Sequence, residues 1–348
     1  MSLPVLRPLS AADLEHVLER ARPIWQELRG QRLFITGGTG LFGIWLLESI
    51  KAANARLDTR ISATVLSRDP KRFLVRAPHL ADLASIGWHP GDARSFTFPA
   101  GRYDHVIHAA APTTADMNAE RPDEAFDTIG SGTRRALELA AAAGAANVLF
   151  VSSGAVYGRQ PPTLENVPET YLGAPECTDR HAAYAEGKRA AELLCAFATR
   201  PGGPQAKIAR CFAFVGPHLP LDAHFAVGNF LRDALRGGDI AIAGDGTPCR
   251  SYMHMADLVV WLLTIMMSGA PMRAYNVGSD EAVSIAELAQ RVARVVGKGS
   301  KVRISGQASG APPERYVPSI DRARQELGLE VCIGLDAALE RTVRWLMQ

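Results

Sequence analysis

The sequence predicts an α/β fold built on a doubly wound parallel sheet, and three observations predict it. From Arg32 onward, short apolar runs alternate with helical patterns, as successive βαβ units require. The first run leads through a glycine-rich turn straight into a helix, ITGGTGLFGIWLL. A later run, NVLFVSS, turns polar at its carboxyl end, where open α/β sheets keep their chemistry.

Taken in order, the chain opens with MSLPVLRPLSAADLEHVLERARPIW. Ser10 reads as the N-cap of an amphipathic helix with Leu14, Val17 and Leu18 at helical spacing, so residues 1–30 are expected to form a helical extension packed on the core. No basic segment followed by an apolar stretch precedes it, and no charge-free span long enough for a bilayer occurs, so a cytoplasmic protein without a membrane role is expected. The runs RLFIT, ISATVLS, DHVIHAAA, NVLFVSS, AKIARCFAFVG and RAYNVGS read as strands, separated by helices such as LFGIWLLESIKAAN and TRRALELAAAAG. After residue 216 the rhythm breaks into a turn-rich stretch. Residues 31–216 therefore read as one α/β domain and 217–348 as a smaller α/β region, with about 251–280 returning to the first.

The 348 residues allow a large core, and the charge balance is nearly even at +2 without a block of like charge. That pattern argues against nucleic acid and polybasic membrane contacts. Five cysteines scattered without a CxxC pair argue against both a disulfide framework and a metal site.

Gly37, Gly40 and Gly43 stand as GxxGxxG between a predicted strand and a predicted helix. Glycines permit a tight turn and close backbone approach, and the helix start through Leu41 and Phe42 offers free N–H groups to a pyrophosphate. The pattern points to a dinucleotide. At the tip of the second strand, where an acid would accept a ribose 2′-OH and favour NAD, the sequence is VLSRDPKR. Ser67 and Arg68 offer a hydroxyl and a cation to a 2′-phosphate, which makes NADP the expected cofactor and NAD the alternative, with Asp69 the competing ribose acceptor. Asp92, in HPGDAR, is a candidate for the adenine amino group or a turn former, and Ala109 of VIHAAA is a further candidate cofactor contact.

YAEGK places Tyr184 and Lys188 four apart on one helix face, so that the ammonium can lie near the phenol. A neighbouring cation favours the phenolate and would draw the tyrosine toward the range of a general base.

The ordered set TGGTGLFG, GD at Gly91 and Asp92, VIHAAA, SSGAVYG, YAEGK and VGP resembles the extended short-chain dehydrogenase/reductases that act on nucleotide sugars, over residue 31 to the end. The resemblance implies a Rossmann-type NAD(P)-binding domain followed by a mainly substrate-binding region. It further implies Tyr184 as acid/base, Lys188 as its tuning partner and nicotinamide-ribose ligand, and Ser153 as the hydroxyl that binds the sugar oxygen, with Ser152 the competing candidate. Asn229 and Phe230 match the family's substrate loop, although Asn229 also suits a helix cap. Arg250 matches its diphosphate arginine, Arg315 a second basic residue or a surface one, and Tyr252 and Asp257 structural positions. Where the family often carries an Asn ahead of Gly132 and Thr133, this chain has Ile129. A homodimer through the helices within 121–143 and 181–199 is also implied.

The family's 4,6-dehydratases need an Asp and a Glu directly after the catalytic hydroxyl, but here those positions are Gly154 and Ala155, which move no proton. Dehydration is disfavoured, and so is decarboxylation of UDP-glucuronate, for which the family also uses a nearby Glu. The Cys and His chemistry of the fucose-synthase type lacks support because Cys195 and Cys211 fall inside a predicted helix and strand. What remains is hydride transfer at sugar C4, as 4-keto reduction or 4-epimerisation of a nucleotide sugar. A dinucleotide-binding sensor or scaffold without turnover is the alternative.

Overall fold

Seven parallel strands form the main sheet, and their order explains where a cleft must open. The computed structural model describes residues 5–81, 83–112, 120–223, 225–307 and 310–348. The first six strands are β1 (Arg32–Thr36), β2 (Ser62–Ser67), β3 (Ile86–Pro90), β4 (His105–His108), β5 (Asn147–Ser153) and β6 (Gln205–Cys211). Four short ones follow, β7 (Phe214–Val215), β8 (Ile240–Ile242), β9 (Cys249–Arg250) and β10 (Met253–His254), before β11 (Ala274–Val277) returns to the sheet. The order across it is β11-β6-β5-β4-β1-β2-β3, and every neighbouring pair runs parallel. Strand order therefore reverses between β1 and β4, the switch point at which such sheets bind ligands. Helices cover both faces, so the central strands are apolar throughout: Leu33, Phe34 and Ile35 of β1 are fully buried.

The amino-terminal extension belongs to the same core. Helix α1 (Ala11–Arg20) starts at Ser10, whose Oγ accepts from Asp13 N at 3.1 Å, and α2 (Arg22–Glu27) follows. Val17, Leu18 and Trp25 are buried in the cluster that also contains β1 and the long helix α3 (Leu41–Leu57). Two carboxylates fix the extension to later helices. Asp13 accepts from Arg341 Nη1 at 3.0 Å. Asp257, at the start of the helix Met255–Ser268, pairs with His16 at 2.7 Å and accepts from the backbone N–H groups of Cys332 and Ile333. Near the opposite end of the chain, Trp345 Nε1 donates to Pro8 O at 2.9 Å and the Arg7 guanidinium stacks over the same indole.

Beyond β11 come β12 (Val283–Ser284), β13 (Val302–Ile304) and β14 (Arg315–Tyr316). In the small sheet β12-β9-β14, Arg250 pairs with Tyr316 on its parallel side and with Val283 on its antiparallel side. Residues far apart in sequence are thereby gathered beside the carboxyl end of β5.

Candidate active site

The glycine turn after β1 is shaped by what lies against it. Gly37 has φ +74°, and a Cβ there would sit 2.6 Å from the carbonyl carbon of Ala109 at the end of β4. Gly43 lies against Gly38, where a Cβ would approach to 2.3 Å. A side chain at either position would push β1, β4 and α3 apart. Gly40 then caps α3 without a side chain, leaving the first N–H groups of that helix open, as a pyrophosphate requires. Leu41 and Phe42 are half-buried in the first turn, Phe42 edge-on to Phe214 at 5.2 Å.

A cavity of about 540 Å³ opens at the tip of β2, lined by Thr39, Ser67, Arg68, Asp69, Arg72, Phe73 and Arg76. Asp69 is the N-cap of α4 (Pro70–Arg76), its carboxylate accepting from Arg72 N at 2.9 Å. That bond occupies one oxygen of the Asp69 carboxylate, and the other charges at the cavity wall are cationic. Arg72 and Arg76 join the expected Ser67 and Arg68, and the spacing of Arg68, Arg72 and Arg76, four apart in RDPKRFLVR, is the signal that finds them. Asp92 accepts from Arg94 N and Nε, both at 2.9 Å, and this pairing, with lesser help from Arg68, holds its carboxyl below the usual range.

At the carboxyl end of β5 the two serines part, as alternation on a strand demands. Ser152 donates to Glu192 Oε1 at 2.6 Å, and Glu192 is itself gripped by Arg210. Ser153 accepts from Ala155 N at 3.2 Å, which starts the short helical turn Gly154–Tyr157, and its hydroxyl lies on the side of Tyr184. Tyr184 and Lys188 lie on the helix Ala183–Ala198, with the Lys188 ammonium 5.9 Å from the Tyr184 ring centroid and 4.9 Å from that of Phe150. Lys188 Nζ donates to Val151 O at 2.6 Å. Ile129 packs beneath Gly187 of this helix, in place of a polar contact.

The electrostatics depart from the expectation that Lys188 would lower the phenol. Burial pushes Tyr184 up, opposed by the Ser153 hydroxyl, and burial also lowers Lys188 to about 8. The cation that would tune the base is thus itself destabilised by its surroundings. Cys211 and Cys195, buried nearby, are each pushed up to about 12 by desolvation and remain thiols.

Ser153, Tyr184 and Lys188 are therefore brought together, and two further residues join them. Tyr316 sets its hydroxyl against Gly154, next to Ser153, and its backbone pairs with Arg250 of β9. Tyr316 is not legible in the sequence because its strand is two residues long and far from its partners. A Cβ on Gly154 would meet the Phe212 ring at 2.7 Å and the Tyr316 hydroxyl at 2.8 Å, so the space of an acidic side chain is already filled. The other expected substrate residues are differently occupied. Phe230 is a core residue, 5% exposed, which corrects its placement in the substrate loop: on the amphipathic helix Ala226–Leu235 the apolar face turns inward. Asn229 accepts from Arg232 Nη1 at 3.1 Å, Arg250 donates to Cys249 O at 2.9 Å, and Arg315 Nε donates to Glu165 O at 2.9 Å.

A model of the NAD dependent epimerase/dehydratase family matches residues 33–278. UDP-glucuronic acid decarboxylase 1 of Xenopus tropicalis is 30% identical over 242 residues, 70% of this chain and 56% of that one, so the chain spans little more than half the length of that curated relative. Among solved structures, an epimerase from Methanothermobacter thermautotrophicus superposes with TM-score 0.77 at 22% identity, over 95% of this chain and 96% of that one. A UDP-glucose 4-epimerase of Thermotoga maritima, solved with UDP-glucose, gives TM-score 0.76 at 20% identity over 91% and 98%. At such identities the structural likeness establishes the fold.

Proposed function

The chain belongs to the NAD dependent epimerase/dehydratase family, and from that premise we propose that it is a nucleotide-sugar oxidoreductase acting at sugar C4 with NADP(H). The observation that carries the reaction type is the meeting of Ser153, Tyr184 and Lys188 at the end of β5 beside two positions, Gly154 and Ala155, that bear no acid or base. Gly37, Gly40, Gly43 and the α3 amino terminus would hold the pyrophosphate, and Ser67, Arg68, Arg72 and Arg76 the adenosine 2′-phosphate. A bound nicotinamide supplies or accepts the hydride. Tyr184 gives its phenolic proton to the sugar oxygen in the reducing direction and recovers it in the oxidising one, while Ser153 Oγ holds that oxygen and Lys188 stabilises the phenolate.

The cationic cavity favours 4-keto reduction over 4-epimerisation, since a 2′-phosphate is the mark of a cofactor that donates once and leaves. The decarboxylases among its relatives set the sharpest contrast, because Ala155 stands where that chemistry would use an acidic side chain. The deciding assay incubates the protein with NADPH and a 4-keto dTDP-sugar, with UDP-glucose and UDP-galactose, and with UDP-glucuronate. Expected is NADPH oxidation or C4 interconversion. Carbon dioxide from UDP-glucuronate, or water loss from the hexose, would overturn the reading.

The homodimer proposed from the family rests on apolar residues that the two helices leave exposed: Phe126 on Pro122–Ala143, and Leu193 and Phe197 on Ala183–Ala198. Light scattering should give twice the chain mass for the wild type and the single mass for Phe197→Glu.

A further inference from the structure

Three side chains from distant parts of the chain meet beside the amino-terminal extension, and their donor atoms suit a metal ion. His16 lies on α1, Asp257 in the first turn of the helix Met255–Ser268, and Cys332 just ahead of the helix Leu335–Met347. Their ligand atoms, an imidazole nitrogen, a carboxylate oxygen and a thiol sulfur, all lie within 4.8 Å of one another. No CxxC pair marks the cluster, and the fold rather than spacing assembles it. His16 and Asp257 are 241 positions apart, and Asp257 and Cys332 are 75 apart.

The groups are held as ligands are held. Asp257 is buried, and its Oδ2 accepts from the backbone N–H groups of Cys332 and Ile333 at 3.0 and 2.9 Å, which fixes the plane of the carboxylate. Its Oδ1 is turned to His16 Nε2, 2.7 Å away. Cys332 is exposed, and its Sγ donates to Glu330 O at 3.6 Å, a weak contact that a thiolate gives up. Tetrahedral zinc, with bonds of about 2.0–2.3 Å, sets its donors about 3.3–3.8 Å apart. His16 and Asp257 would therefore part by roughly half an ångström and the sulfur close by at most about 1 Å, which side-chain rotation at an exposed residue supplies.

Charge and donor type agree on the ion. A carboxylate and a thiolate neutralise a dication, so the occupied site carries no net charge into the protein. Arg20 and Glu330 bring opposite charges to bear on the sulfur from outside the set. Sulfur and imidazole together select zinc over magnesium or calcium, which take oxygen donors.

We propose that His16, Asp257 and Cys332 form a binding site for a zinc-class divalent cation, with the fourth position open to water on the exposed side of Cys332. The cation takes the place of the proton that His16 Nε2 gives to Asp257, the imidazole stays neutral with its proton on Nδ1, and the Cys332 thiol proton leaves to solvent. One ion then pins the amino-terminal extension, the helix Met255–Ser268 and the segment before the final helix to a single point. None of the three ligands is among the residues proposed to hold cofactor or sugar.

Metal-free full-length protein is titrated with Co2+, whose bond to a thiolate gives a charge-transfer band in the near ultraviolet. A band that saturates at one equivalent is expected, and its absence up to millimolar Co2+ overturns the site. Cys332→Ser, at an exposed position where the fold asks little of the side chain, should abolish the band. His16→Gln, which retains a donor for Asp257, should weaken Co2+ binding by more than about a hundredfold, since losing even a group behind a ligand costs about ten- to a hundredfold. A band of wild-type strength and affinity in either variant places the ion on another cysteine and overturns the proposal. Zn2+ should displace Co2+ and raise the thermal midpoint of the wild type by a few degrees while leaving Cys332→Ser unmoved. An equal rise in both proteins, or none in the wild type, overturns the pinning.

Discussion

Lys188 illustrates how one residue is held against its own preference. Its ammonium is buried, donates to Val151 O and is lowered to about 8 by desolvation. Because its folded pKa lies below the unfolded one, the unfolded chain binds more protons between about 8 and the ordinary lysine value of 10.5, and stability rises with pH across that window. The thermal midpoint of the wild type should therefore gain on that of Lys188→Met as the pH climbs from about 8 to about 10, while the variant loses turnover. Midpoints running parallel would show that burial does not strain this lysine. Tyr184→Phe should lower kcat by about 10²–10⁴ with the NADPH dissociation constant unchanged, the scale of a missing general acid. At Gly154 the sequence tells that no acid is present but not what occupies its place. Gly154→Asp should accordingly fail to create a dehydratase and cost about 2 kcal/mol or more by overpacking against Phe212 and Tyr316, read as a drop in the denaturation midpoint.

Among elements, α4 shows what spacing alone can and cannot reveal. Arg72 and Arg76 are four apart on α4 and share one face, and Arg68, just ahead of the cap, joins them beside the β2 tip. What spacing does not reveal is that Asp69 caps this helix, a bond that appears only when the helix start is fixed. Arg72→Ala should weaken NADPH binding about tenfold while leaving NADH unchanged, the effect of removing one charge-assisted hydrogen bond; equal weakening of both would place the 2′-phosphate elsewhere. The helix Ala226–Leu235 teaches the converse. An aromatic beside an asparagine in a turn-rich stretch invites a substrate role for Phe230, but the helical period commits that position to the core. The pair proposed as catalytic, Tyr184 and Lys188 of YAEGK, is readable because both members share one helix, whereas Tyr316 depends on β14 finding β9 across the whole stretch from Arg250 to Tyr316, a pairing that no local pattern encodes.

At the scale of the molecule, the alternation of apolar runs and helices is enough to read the parallel sheet, since each βαβ unit has one favoured hand and a near neighbour to pair with. The placement of the amino-terminal extension is less legible. Its amphipathic helix announces that it packs, but not that Trp25 lies fully within the core or that Asp13, equally buried, accepts from Arg341 of the helix Leu335–Met347. Deleting residues 1–29 should therefore leave an insoluble or strongly destabilised protein, measured by soluble yield and thermal midpoint, although the family match begins only at residue 33. Recovery of a fully stable truncated protein would show that the sheet domain closes its own core.

The meeting of Pro8 with Trp345 also brings together two segments 337 positions apart. Residues 5–348 could be closed by a short linker joining those two segments and reopened at the exposed turn around Gly202, where a side chain would meet nothing within 4 Å. In such a permuted chain the strand bearing Tyr316 would precede the glycine turn in the order of synthesis. The same contacts would then form by a different history, and folding rate rather than final structure would record the change.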